Sequence, residues 1–363
     1  MRIERRLTTP RHVVLLVPVV AIVFAFLLGA LVLAVTGHDP FSTYRRMVDA
    51  SVVRDGALTG TFTNATPLLL TGLAASIAFR MRVWNIGGEG QLMFGAIGGA
   101  GVGTALAGQD PTLQIAGMIV GGALAGALWA LIPGLLLAYL RTSEILTSLM
   151  LNYIAAIFGS YLIFESMSYW RDTASAGAAF YPVAKTLDHG ATWPHFPIGL
   201  GVGLSIPLGF VVGAAIAVLV AVLYARTRFG FEMQVIGDSP SAARYAGIRT
   251  RRTLVSVFAL SGAIAGIAGA SQVGDFRHQF DPKGLAGAGF GYSGIVVAAL
   301  ARFNPFSVVL VSLLIGGLKY AGFALQGPDF PSGLVGMLQG LILFSALGGE
   351  LLVRYRVRLR GRA

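Results

Sequence analysis

Three glycines and three hydrogen-bonding side chains crowd one short stretch, Arg80-Met-Arg-Val-Trp-Asn-Ile-Gly-Gly-Glu-Gly-Gln91. Gly87, Gly88 and Gly90 disfavour continuous helix. Asn85, Glu89 and Gln91 bring polar groups to the edge of two apolar runs, 65–79 and 92–107, each short for a bilayer crossing. Non-helical backbone at membrane depth survives only where protein buries it or it lines a water-filled cavity. An ionisable residue there is a functional candidate, and broken helices of this kind build transport sites. The bland alternative is a turn outside the bilayer, with Glu89 paired to Arg80 or Arg82. A second cluster runs from Arg141 to Tyr153, where Glu144, Ser148 and Asn152 are spaced four apart and share one helix face beside Thr147 and Leu151. That stripe suits either a polar pathway or adhesion between helices. A third, Gly287-Ala-Gly-Phe-Gly-Tyr-Ser-Gly294, repeats the first theme: a glycine-rich turn, an apolar run, then an arginine.

The elements that must hold these residues follow from composition. Of 363 residues, 55% are apolar or aromatic and 12% are charged, against about 25% charged in an ordinary soluble domain. The 49 glycines are aperiodic and cysteine is absent, which excludes collagen, a disulfide scaffold and thiolate chemistry. Ten apolar runs emerge: 13–35, 65–79, 92–107, 113–140, 145–164, 198–225, 253–272, 286–301, 306–325 and 333–352. The first is too long for the core of a signal peptide, so a retained first helix is expected. Ten crossings place both termini on one side. Nineteen basic residues then share that side, seven lie opposite and Lys319 falls inside a helix. The richer side should face the cytoplasm. The net charge of +11 therefore reflects membrane topology and attraction to anionic lipid, not nucleic-acid binding. Small residues four apart (Gly95, Gly99, Gly103; Gly122, Gly126; Gly262, Gly266) allow close helix approach. They serve either packing within one subunit or a dimer interface.

Two segments outside the spans stand out. Residues 165–197 form an outer loop with Trp170, Tyr181 and Trp193, either a docking platform or an interfacial loop. Residues 226–252 form the longest inner loop. Ser239 is a good helix N-cap, Pro240 suits the first helical position and Gly247 suits the residue that ends a helix. Between them, Ala242, Ala243, Tyr245 and Ala246 favour a short helix or present a small apolar face. Such a helix fits a groove on another protein, or lies on the membrane.

Catalytic machinery is not expected. A phosphate-cradling loop needs Gly-Lys-Ser/Thr, yet the three lysines follow Ala184, Pro282 and Leu318. No histidine pairs with a second ligand at helical spacing, so no metal or other cofactor is expected either. Work driven by ATP would require another subunit.

The sequence resembles the permease subunits of bacterial ATP-binding-cassette importers, in the nucleoside and simple-sugar branch related to the branched-chain amino acid permeases. The resemblance rests on Trp84-Asn-Ile-Gly-Gly-Glu-Gly-Gln91, Glu144-Ile-Leu-Thr-Ser-Leu-Met-Leu-Asn-Tyr153, Gly237-Asp-Ser-Pro-Ser-Ala-Ala-Arg-Tyr-Ala-Gly-Ile248 and Gly291-Tyr-Ser-Gly-Ile-Val-Val-Ala-Ala-Leu-Ala-Arg-Phe-Asn-Pro305. Relatives usually carry Phe at the position of Trp84 and Leu-Gly before the last Asn-Pro. The resemblance implies an all-α integral membrane protein, one permease domain over 1–363, with about ten transmembrane helices folded like the vitamin B12-type (type II) importers. It implies a bacterial inner-membrane location with cytoplasmic termini, and a coupling helix carrying Ser239, Ala242, Ala243, Arg244, Tyr245 and Gly247 that docks on a separate ATPase. A second, non-identical permease and a substrate-binding lipoprotein complete the expected complex. Trp84, Asn85, Glu89, Gln91 and Asn152 are the residues expected to reach the substrate path. The expected substrate is a nucleoside, with pentose or hexose sugar, or an ion-coupled secondary transporter, as alternatives.

Overall fold

The computed structural model describes residues 2–5, 11–199, 203–326, 330 and 333–358. Its helices are α1 (Arg11–Val35), α2 (Pro40–Val48), α3 (Ala57–Arg80), α4 (Gly88–Ala105), α5 (Pro111–Leu135), α6 (Glu144–Phe164), α7 (Leu208–Arg226), α8 (Arg228–Asp238), α9 (Pro240–Tyr245), α10 (Thr250–Ser271), α11 (Pro282–Ala288), α12 (Phe290–Leu300), α13 (Pro305–Ala324) and α14 (Leu334–Arg354). π-helical turns extend α2, α5 and α10 at Asp49–Val53, Leu136–Leu140 and Gln272–Arg277. Each of the ten apolar runs carries helix. Among the described residues, seven helices or helix pairs are long and apolar enough to cross a membrane: α3, α5, α6, α7, α10, α11 with α12, and α13. The apolar parts of α1 and α14, Val20–Val35 and Leu334–Ser345, are shorter. α4 occupies the remaining run and carries Glu89 and Gln91 in its first turn. The chain is an all-α, multi-pass membrane protein.

The chain divides into two compact units, Met1–Arg54 with Leu318–Ala363, and Asp55–Gly317. In the first unit α1 packs along α14. The short strands β1 (Arg2–Arg5) and β4 (Tyr355–Arg358) pair antiparallel, with Arg2 opposite Arg358. Asp39 caps α2 by accepting from the Ser42 amide at 2.9 Å, and the Tyr44 hydroxyl donates to the Phe26 carbonyl at 2.7 Å.

In the second unit α4, α5 and α10 form one closely packed trio, and the small-residue stripes are its seams. A Cβ added at Gly95 would strike the backbone of Gly266, and one at Gly126 would strike Gly262 and Gly266. These glycines serve packing within one subunit, where van der Waals approach replaces the hydrophobic drive that lipid cannot supply. α3 lies against α7, α10 and α12, and its residues from Ala65 to Phe79 are buried.

The run 198–225 begins its helix only at Leu208. Gly203 has a φ of +57°, and strand β3 (Ser205–Pro207) pairs with β2 (His195–Pro197) before Pro207 leads into α7. The connecting segment is thus longer than 165–197, and it is pinned. Asp188 accepts from the Gly108 amide at 3.1 Å and from Gln114 at 3.4 Å. The Gly108 bond, then Gln114, holds its carboxyl below the usual carboxylate range. Trp170 Nε1 donates to the Ile97 carbonyl at 2.9 Å, and Trp193 is fully buried with its ring over Gly274.

Candidate functional site

α3 ends at Arg80, and Arg82 turns the chain back with a φ of +56°. Residues 83–86 have no regular secondary structure, and α4 begins at Gly88. Asn85 Nδ2 donates to Ser261 Oγ at 2.9 Å, and Ser261 in turn donates to the Ala74 carbonyl at 2.7 Å. Ala74 lies six residues before Arg80, so the break climbs back about 9 Å along α3 at 1.5 Å per residue. It is non-helical backbone set inside the helix bundle.

A saturated polar knot holds it there. Asn85 and Gln91 exchange two hydrogen bonds, at 3.2 and 2.9 Å, and Asn85 Oδ1 also accepts from the Gly87 amide at 3.1 Å. Asn152, from α6, accepts from the Gly90 amide at 2.9 Å and donates to the Ile86 carbonyl at 2.9 Å and the Tyr292 hydroxyl at 3.2 Å. Asn85, Glu89, Gln91 and Asn152 are all buried. In so dry a place each bond is stronger and each unmade bond costlier, so the knot specifies one backbone path.

Glu89 does something different. Its Oε2 accepts from the Gly291 amide at 2.7 Å, at the start of α12, while Glu89 itself sits in the first turn of α4. Two helix N-termini therefore converge. An added Cβ at Gly88 would lie 3.6 Å from Gly291 Cα, and one at Gly291 would collide with the Glu89 backbone. Both partial positive ends point at one another, and the carboxylate offsets them. The break between α11 and α12 at Gly289, φ +58°, brings the second N-terminus to this point. Thr71 donates to the Phe290 carbonyl at 3.1 Å, nine residues from the end of α3.

Trp84 stands apart from its four companions, with half its surface exposed at 51%. Its ring packs edge-on against Phe79 at 4.9 Å, and Phe79 packs against Phe303 at 5.3 Å. Its amide donates to Glu144 Oε1 at 3.4 Å. Tyr292 is 41% exposed, with its hydroxyl on the knot. The knot thus carries an accessible aromatic edge.

The segment 226–252 is mostly helical. Ser239 accepts from the Ala242 amide at 3.3 Å and caps α9, Pro240 opens it, and Gly247 follows with a φ of +73°. Ala243 is buried, whereas Ala242, Arg244 and Gly247 are exposed, and Tyr245 is 98% exposed. Among the described residues no group of three His, Asp or Glu side chains gathers to hold a metal ion.

The family profile described as branched-chain amino acid transport system / permease component matches residues 57–347. The chain belongs to this permease family. The permease is 31% identical to the glucose ABC transporter permease protein TsgB13 of Haloferax volcanii over 98% of this chain and 93% of that one. It is 32% identical to the guanosine ABC transporter permease protein NupP of Bacillus subtilis, over 91% and 92%. With the nucleoside ABC transporter permease protein NupB of Lactococcus lactis subsp. cremoris it shares 28%, over 91% and 89%. No solved structure matches it. As a family member it is the transport permease component of a system that also comprises an ATPase and a substrate-binding partner.

In this permease the structure brings Asn85, Glu89, Gln91 and Asn152 together and leaves Trp84 at their edge. Glu89 accepts from the Gly291 amide, and Arg82 meets Asp238 at 3.2 Å. Three participants were not singled out from the sequence, namely Ser261, Gly291 and Tyr292. The last two lie in the third glycine-rich cluster, which was visible. Ser261 carried no signal, being one serine in an apolar helix.

Proposed function

We propose that this permease forms one half of the translocation path of an ATP-driven importer and that its substrate is a purine nucleoside. The reading is carried by one observation: an exposed Trp84 mounted on a buried, hydrogen-bonded break between α3 and α4, with the partly exposed Tyr292 bonded to the same knot. A nucleoside is neutral, offers a flat ring face and carries several donors and acceptors. Stacking on an aromatic side chain contributes about 1–3 kcal/mol per base. Trp84 touches substrate in this scheme, and Asn85, Glu89, Gln91 and Asn152 line or position the path. The break lies within the membrane, where irregular backbone beside a cavity is tolerated.

Both compact units work as one permease domain in the bacterial inner membrane, with cytoplasmic termini. ATP is hydrolysed on a separate subunit, which docks through α9 by Ser239, Ala242, Ala243, Arg244, Tyr245 and Gly247. A non-identical second permease closes the path from the other side, and a lipoprotein delivers substrate to the segment 165–197. The relatives that carry guanosine and nucleosides by name support the substrate class. A glucose relative supports the second reading, a sugar importer. Uptake of radiolabelled guanosine, adenosine, ribose and glucose by cells expressing the whole system separates the two. Competition by purine nucleosides is the expected result, and uptake of sugar alone would reject the nucleoside. Transport by the purified chain in liposomes without any ATPase would reject the importer.

A further inference from the structure

We infer that α8 is a transmission arm, clamped at its end onto the glycine-rich break, so that displacement of α9 moves the turn carrying Trp84 and Asn85. The inference rests on the reading of α9 as the ATPase-docking helix and adds the route by which its movement reaches the substrate site.

The clamp is a backbone contact. A Cβ added at Gly237 would lie 2.6 Å from the Arg80 carbonyl oxygen and 3.2 Å from Met81 Cα. The last turn of α8 therefore rests on the chain where α3 gives way to the break, and only glycine permits that approach. Met233 and Ile236, on the same side of α8, are buried. Around the seat, Arg80 donates to Gln234 Oε1 at 3.0 Å and lies over the Tyr224 ring at 4.4 Å. Arg82 pairs with Asp238 at 3.2 Å. That ion pair is well exposed, at 71% and 62% of its side-chain surfaces, so it contributes little to stability. It aligns two elements that packing already holds.

The route is short at both ends. One residue, Ser239, separates α8 from α9, and its side chain caps α9. Arg82 is three residues from Asn85, which anchors the knot through Gln91 and Ser261. On the far side of α9, Gly247 ends the helix with a positive φ and the Ile248 amide donates to the Ala243 carbonyl at 3.0 Å before Arg249 leads into α10. A push on the exposed face of α9 thus passes into α8, whose end cannot move without Arg80, Met81 and Arg82. Those residues carry the break with them.

The absence of native cysteine makes a direct test simple. Val83→Cys places one thiol in the turn, half-buried and without an assigned role. Its labelling rate by a thiol reagent is measured in the assembled, membrane-embedded complex, with and without ATP trapped on the ATPase. Nucleotide should change the rate several-fold. Adding Gly237→Val should flatten that response while the ATPase still co-purifies and hydrolyses ATP. Asp238→Arg should weaken the response while the ATPase still co-purifies, and Asp238→Arg with Arg82→Glu should restore it. An unchanged nucleotide response in Gly237→Val with the ATPase bound overturns the inference, as does a thiol at position 83 indifferent to nucleotide in a complex that transports. A chain that recruits no ATPase overturns the parent reading as well, and co-purification alone reveals that case.

Discussion

Removing an amide from a buried knot strands its partners. Asn152→Ala leaves the Gly90 amide and the Ile86 carbonyl without their bonds, and each stranded group costs about 1–3 kcal/mol. A clear loss of thermal stability of the detergent-solubilised protein is expected, and wild-type melting would contradict the knot. Glu89→Gln is a different experiment. The new amide oxygen still accepts from Gly291, so the fold should stand, but the charge that offsets two helix N-termini disappears, a contribution of about 1–2 kcal/mol in partly buried geometry. Uptake should fall while the amount of assembled complex holds, and an unchanged rate would leave Glu89 a packing residue. The two side chains also mark what a sequence can disclose. Glycines beside Asn85, Glu89 and Gln91 announce a break because helix propensity and polarity conflict there. That Glu89 answers an amide 202 positions away, or that Asn85 leans on Ser261, is set by tertiary contact and leaves no local trace.

Among the elements, the α4–α5–α10 trio explains why glycine is so abundant in this chain. At Gly266 an added Cβ would strike the Gly122 carbonyl and lie 3.0 Å from Gly126 Cα, whereas Gly340 in α14 has open space around it. Gly266→Ala should therefore destabilise by about 1–3 kcal/mol, the usual cost of overpacking. Gly340→Ala should instead be neutral or stabilise by about 0.5–1 kcal/mol through helix propensity. Opposite shifts in melting temperature check the pair, and equal shifts would dissolve the seam. Four-residue spacing made these seams legible, though not their partners. The start of α7 was not legible. Hydropathy runs unbroken through 198–207, and only the turn chemistry of Gly199, Gly203 and Pro207 signals that a β-hairpin precedes the helix. The short helix α9 was legible in full, because Ser239, Pro240 and Gly247 are local punctuation that tertiary packing has not overridden.

At the scale of the whole molecule, charge and topology make one joint demand. Ten crossings would place nineteen basic residues on one side and seven on the other, and that bias would turn both termini to the cytoplasm. Adding or losing one helix would exchange the sides of every later loop. A cysteine-free chain lets this be read directly in whole cells with a membrane-impermeant maleimide. Gly177→Cys, exposed in the segment before α7, should be labelled from outside. Ala242→Cys on α9 and Ala363→Cys should react only after the membrane is permeabilised. External labelling of Ala242→Cys would turn α9 away from any ATPase, and with it the argument that this permease borrows its energy from a partner.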